Sequence, residues 1–306
     1  MLLWGVDVGG TKIEGVILDP ARPDCALHRR RVPTESEFGY DHIIDRVRAV
    51  IEQLESDAGR ARPSRIGFGT PGAVEPSTGL MKNCNTVCLN GRALPADLAA
   101  SLDVDVAIAN DANCFALAEA TLGAARGRNV VIGLIIGTGV GSGIVVHGRA
   151  LEGAHGIAGE WGHNPLCGEG VACYCGRRGC VETVISGPAL EHRYRDQTGE
   201  RLCLAEVMDR AGRGEPAARA VADRLRDKFG EAIAALINIV DPQAIVIGGG
   251  VGNVEMLYGA ETRRAIERHL FNRELRTELL RPALGDSAGV FGAALLTSPG
   301  AATARP

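Results

Sequence analysis

A duplicated α/β fold, two similar domains in tandem, is what the sequence predicts, and three observations predict it. Two glycine-tipped β-hairpins open the two halves of the chain, one turning at Gly9-Gly10 and the other at Gly137-Thr138-Gly139-Val140-Gly141. After each hairpin, short apolar runs alternate with stretches of helical period, the pattern of layered strands and helices. Glycine, at 41 of 306 residues against a usual share of ~7 %, gathers in the turns between those runs. Two ordinary hairpins that echo one another by chance are the plain alternative to a repeat.

Along the chain, Leu2 to Val8 reads as a buried strand and Ile13 to Leu18 as its return, followed by a third strand near Ala26–Val32. An amphipathic helix is expected from Tyr40 to Leu54, then a strand at Arg65–Phe68 ended by Gly69-Thr70-Pro71-Gly72. Val104–Ala109 reads as a strand and Asn113–Ala120 as a helix. The second half gives strands at Val130–Ile136 and Ser142–Val146, then a helix over Leu225–Val240 that Asp241-Pro242 stops. Ala244–Ile247 is a short buried strand before Gly248-Gly249-Gly250. Ala288–Leu296 is a last helix, and Ser298–Pro306 reads as a disordered tail. The expected division is a first domain over 1–118, completed by the last helix at about 288–297, and a larger second domain over 119–287.

Composition narrows the function classes. A 45 % hydrophobic content is ample for a sizeable core, and a net charge of −4 with acids and bases interleaved gives no footprint for nucleic acid or an anionic membrane. The start reaches Asp7 without a basic lead, a poor signal peptide, and no apolar run approaches the ~18 residues of a membrane span. A cytoplasmic protein is expected. Nine cysteines, four of them between Cys167 and Cys180, read as reduced thiols plus a metal site rather than a disulfide framework.

Three glycine loops have the parts of a polyphosphate site. In Asp7-Val8-Gly9-Gly10-Thr11-Lys12 the glycines let backbone N–H groups face an anion, Thr11 and Lys12 can donate to phosphate oxygens, and Asp7 can orient hydrated Mg²⁺. Gly137, Thr138, Gly139, Val140 and Gly141 offer a second cradle, and Gly249 and Gly250 a place for the adenosine end of ATP. None has the spacing of a Walker loop or a Rossmann fingerprint. Each alone is more often just a turn; the three in this order say more.

Asn110-Asp111-Ala112-Asn113 lies where a buried strand hands over to a helix. One reading is an N-cap, for which Asp and Asn are favoured. The other makes Asp111 a general base that takes a hydroxyl proton during phosphoryl transfer, with Asn110 beside it. Further on, His163 with Cys173-x-Cys175-x4-Cys180 supplies one imidazole and three thiolates, a Cys3His set suited to structural zinc in a loop spanning 163–180. Cys167 is a fifth candidate that the spacing leaves open. Glu160 and Glu182 flank this loop, as solvated surface charge or as acceptors for hydroxyls.

Taken together these segments resemble the ROK group (repressors, open reading frames, kinases) over essentially the whole chain. The matching pieces are Asp7 to Lys12, Gly69 to Gly72, Asn110 to Asn113, Gly137 to Gly141, Gly159-Glu160-Trp161-Gly162-His163, Cys173 to Gly176, Gly179 to Glu182 and Gly248 to Gly250. The resemblance implies an actin-like (ribonuclease H-like) duplicated fold with a central nucleotide and sugar cleft, and commonly a homodimer. It implies a sugar kinase using ATP and Mg²⁺, with Asp111 as catalytic base. His163 would bind zinc through one nitrogen and meet the sugar with the other. Gly72, Asn85, Asn110, Glu160 and Glu182 complete the implied sugar set.

Within that group the chain looks most like bacterial fructokinases that also accept mannose. The clues are Lys82-Asn-Cys-Asn-Thr86, Leu89-Asn-Gly91, Ala158 to Leu166 and Glu182-Thr-Val-Ile-Ser-Gly187. N-acetylhexosamine kinases and glucokinases of the same layout are the alternative. A departure stands between Leu166 and Cys173, where the connection is shorter than those fructokinases often have. A sugar-responsive ROK regulator would add a DNA-binding module ahead of the first strand, whereas here the strand starts at residue 2 and the charge is negative.

Overall fold

The computed structural model describes residues 2–166, 168–272 and 274–298, with Pro23 and Asp24 described by their backbone alone. Cys167 and nearly all of the expected tail (299–306) lie outside the described residues. The chain divides into two compact units: residues 1–127, 143–158 and 283–306 form one, and 128–142 with 159–282 the other.

Among the described residues, twelve strands build two five-stranded sheets and one two-stranded sheet. The strands are β1 (Leu3–Val8), β2 (Lys12–Asp19), β3 (Arg22–Pro33), β4 (Arg65–Thr70), β5 (Ala73–Val74), β6 (Met81–Lys82), β7 (Asp105–Asn110), β8 (Val130–Ile136), β9 (Val140–Val146), β10 (Arg149–Ala150), β11 (Ala244–Gly248) and β12 (Glu278–Leu280). The first sheet runs β3-β2-β1-β4-β7, antiparallel through β1, β2 and β3 and parallel from β1 to β4 to β7. The second runs β10-β9-β8-β11-β12, antiparallel between β9 and β10 and parallel from β8 to β11 to β12. The same mixed order in both is the structural form of the echo between the two glycine hairpins. It is the two-part α/β architecture with mixed sheets that the sequence predicts.

Register fixes the first hairpin. Leu3 pairs with Leu18 and Val8 with Ile13, and the Gly9 N–H donates to the Lys12 carbonyl at 2.9 Å to close the tip. Helix Tyr40–Ala58 lays Ile43, Val47, Val50, Ile51 and Leu54, all fully buried, in one core cluster with Ile13, Ile17, Phe68 and Trp4. Its end is set by Gly59 in the left-handed region, four residues beyond the expected stop at Leu54. Helix Pro216–Val240 likewise starts well before the expected Leu225, because Pro216 sits in the first turn, where its missing N–H costs nothing.

The last helix, Ala288–Leu295, packs on the first sheet at backbone distance. A Cβ on Gly67 would stand 1.8 Å from the Ala293 carbonyl oxygen, one on Gly5 2.3 Å from the Ala294 nitrogen, and one on Gly292 1.8 Å from the Cys114 carbonyl. Only glycine permits this approach. The helix thereby joins β1, β4 and helix Asp111–Thr121 around the ends of the strands that carry Asp7 and Asn110. Gly67→Ala must push one backbone off another, so denaturant unfolding should show a loss of about 3 kcal/mol or more. A variant as stable as the parent would contradict the close approach.

Candidate active site

In the first unit the residues expected to meet phosphate and catalyse are gathered at the ends of β1 and β7. Asp7, on β1, has its carboxylate against Gly69 and Gly289, so that a Cβ on either would come within 3.1–3.2 Å of an Asp7 oxygen. Burial above all, then the charges of Asp111 and Glu14, push the Asp7 carboxyl up to about 7, with Lys12 acting the other way. Two neighbouring acids and partial burial make a site that asks for a cation. Lys12 stands 3.6 Å from the fully buried Glu14, which also pairs with Arg29 and with Arg31. Gly10 and Thr11 are exposed at the hairpin tip, and a Cβ on Gly9 would meet the Lys12 carbonyl at 2.9 Å.

The two readings of Asn110-Asp111 separate in the structure. Asn110 is the N-cap of helix Asp111–Thr121, its Oδ1 accepting from the Asn113 N–H at 2.8 Å. Asp111 is the first residue of that helix, exposed, with Oδ1 accepting from the Ala112 N–H at 2.8 Å. Gly72 packs against Lys82 and Cys84, where a Cβ would meet the Cys84 sulfur at 2.4 Å, and the Asn85 N–H donates to the Pro71 carbonyl at 3.3 Å. Asn90, for which the sequence suggests no role, holds that loop by accepting from Cys84 N and donating to Cys84 O.

In the second unit the glycine tip, Glu182 and the cysteine loop meet around Val140. The Val140 N–H donates to Glu182 Oε2 at 2.9 Å, and a Cβ on Gly139 would lie 2.6 Å from that oxygen. The Gly187 N–H donates to the Gly137 carbonyl at 2.9 Å, so the segment 182–187 holds both sides of the tip. Gly162 lies on the other side, where a Cβ would stand 2.1 Å from the Val140 carbonyl, and Ser142 Oγ donates to the Gly159 carbonyl. Trp161, buried, anchors this stretch by donating from Nε1 to Ala232 O at 3.1 Å. Glu160 is half-buried and Thr138 exposed. Gly249 has φ +81 and approaches the Ile136 backbone, and with Gly250 it opens the short helix Gly249–Gly252 rather than preceding it.

Ligand atoms of His163, Cys173, Cys175 and Cys180 all lie within 4.8 Å of one another. Cys173 Sγ is 3.6 Å from His163 Nδ1, and Cys175 Sγ is 3.7 Å from Cys180 Sγ. Gly176 and Gly179 take φ +86 and +70 to turn the loop. Burial, then the neighbouring sulfurs, push the Cys180 thiol up to about 12. This donor set fits zinc. His163 Nε2 points the other way, 3.1 Å from the hydroxyl of Tyr174, a neighbour without a role in the sequence reading. That hydroxyl is pushed up to about 12 by burial of its oxygen and then by the charges of Glu182 and Glu160.

The ROK family model matches residues 3–299. The chain belongs to the ROK family. It is 34 % identical over 305 residues to the N-acetyl-D-glucosamine kinase of Photobacterium profundum, covering 96 % of this chain and 99 % of that one. Among solved structures it is similar to a ROK hexokinase from Thermus thermophilus, with a TM-score of 0.86 at 34 % identity over 96 % of this chain and 97 % of that one. It is also similar to a ROK glucokinase from Streptomyces griseus in complex with glucose and AMPPNP, with a TM-score of 0.77 at 27 % identity over 97 % and 99 % of the two chains. Among the described residues, no helix is long and apolar enough to cross a membrane.

Asp7 gives this site a pH signature. Its folded value lies above the ordinary 3.8, so its stabilising share is complete below pH 4 and is lost as pH rises through 7. Without nucleotide, Asp7→Asn should therefore raise the melting temperature, by more at pH 8 than at pH 5. An equal or negative shift at pH 8 would show that the carboxylate is not held at a cost.

Proposed function

We propose that the chain is an ATP-dependent sugar kinase whose acceptor is an N-acetylated hexosamine, N-acetylglucosamine first. The observation that supports the catalytic reading is the meeting of two acids at the strand ends: Asp111, the exposed first residue of the helix that Asn110 caps, lies within the electrostatic influence of the half-buried Asp7. Asp111 accepts the proton of the sugar hydroxyl as its oxygen attacks the γ-phosphorus. The new O–P bond forms, the bond to the β-phosphate oxygen breaks, and ADP leaves. Gly9, Gly10, Thr11 and Lys12 attend the phosphates with Gly137–Gly141, and Gly249 and Gly250 the adenosine. Asp7 would hold a water of Mg²⁺, which when bound neutralises charge on the phosphates.

The sugar contacts in this reading are Gly72, Asn85, Asn110, Glu160, His163 and Glu182. His163, Cys173, Cys175 and Cys180 would hold a structural zinc ion, with His163 Nδ1 on the side of the cysteines and Nε2 left to face the sugar. A homodimer belongs to the same proposal. On the acceptor, the N-acetylglucosamine kinase relative, aligned nearly end to end, weighs more than the fructokinase-like motifs around Lys82–Thr86 and Glu182–Gly187. Fructose therefore passes to second place.

A coupled assay across N-acetylglucosamine, N-acetylgalactosamine, N-acetylmannosamine, glucose, mannose and fructose should give the highest kcat/KM with an N-acetylated sugar. Highest turnover of fructose would return the reading to a fructokinase. Asp111→Asn should lower kcat at least ~10³-fold, the scale of a lost base, while sugar binding by calorimetry changes little; an active variant would refute the assignment. Elemental analysis should find about one zinc per chain. A metal-free preparation of unchanged thermal stability would refute the structural ion.

A further inference from the structure

Tyr174 has no part in the phosphoryl transfer proposed above. It stands between two of the four clustered ligands, Cys173 and Cys175, and is 76 % exposed. Its ring meets His163 edge-on, with centroids 5.2 Å apart and planes at 90°. Its hydroxyl lies 3.1 Å from Nε2, while Nδ1 of the same imidazole faces Cys173 Sγ. An imidazole whose Nδ1 is given to a metal carries its proton on Nε2, so Nε2–H donates and the tyrosine oxygen accepts. The same hydroxyl lies within the influence of the Glu182 and Glu160 carboxylates.

A sugar hydroxyl that engages His163 needs the same Nε2–H. We propose that Tyr174 sets the affinity of the sugar site, its hydroxyl standing in for a sugar hydroxyl on His163 Nε2 when no sugar is bound. This inference rests on the sugar-kinase reading above. An entering sugar must take the Nε2–H from the tyrosine, so every acceptor is charged the same competing hydrogen bond. The exposed ring can rotate away without opening the core, and the flanking cysteines keep it at the site once it has moved.

The test is Tyr174→Phe, which keeps the ring and removes the competing oxygen. Calorimetric titration of the zinc-loaded protein with N-acetylglucosamine should give a Kd about 2- to 10-fold lower than wild type, the range of one net hydrogen bond. The gain should be of similar size for every hexose that binds, leaving the order of kcat/KM across the hexose panel unchanged. A role confined to holding the loop predicts the opposite: weaker sugar binding together with less retained zinc. Unchanged or weakened affinity, with or without loss of metal, overturns the inference while leaving the kinase reading intact. Absence of turnover with every hexose in the wild type overturns that reading, and this inference with it.

Discussion

The hydrogen bond from the Val140 amide to Glu182 is the constraint on which the second unit's site depends. It spans forty-two residues of sequence and joins a glycine loop to the segment that follows the cysteine cluster. Gly139 has no side chain because the carboxylate occupies that space, and Gly162 has none because it lies on the Val140 carbonyl. Ser142 and Trp161 fix the approach of the Gly159–His163 stretch from either end. Remove the carboxylate and the Val140 N–H loses its partner, Gly139 gains room, and the tip keeps only its Gly187 contact. One oxygen of Glu182 thus shapes the loop assigned to phosphate, leaving the other for the proposed sugar contact.

The first unit solves a different problem, that of keeping acids close together in the absence of ligands. Glu14 is balanced by Arg29, Arg31 and Lys12. Asp7 has Lys12 as its one opposing charge and the charges of Asp111 and Glu14 against it, which is why its carboxyl is driven to about 7. Such an arrangement is costly in the free protein, and the cation and phosphates of the proposed reaction would offset that cost. The glycine contacts under the last helix hold the strand ends that make the arrangement rigid.

Much of this was legible in the sequence, because glycine turns and apolar runs report directly on strand pairing. The β1–β2 hairpin falls within a residue of its expected bounds, and β8 matches them at both ends. Helix Leu204–Gly212 and the three-residue β12 were missed: the first buries only Leu204 and Val207, and the second is too short to show alternation. The clustering of His163 with Cys173, Cys175 and Cys180 was readable, since all four fall in one loop. The Glu182–Val140 bond and the Tyr174–His163 contact were not. Each depends on where a folded loop returns, and neither Glu182 nor Tyr174 differs in residue type from ordinary surface positions. The acceptor sugar was equally out of reach, because a few hydroxyl contacts decide it and no motif spells them.

In the proposed reading one carboxylate, that of Glu182, serves both the phosphate loop and the sugar. Titrating a non-hydrolysable ATP analogue into Glu182→Ala with no sugar present tests it most directly. If the Glu182–Val140 bond supports the loop, nucleotide affinity should fall by about tenfold, the scale of a lost charge-assisted hydrogen bond, although no sugar contact is in play. A variant that binds the analogue as wild type does, and loses affinity for sugar alone, would contradict the account.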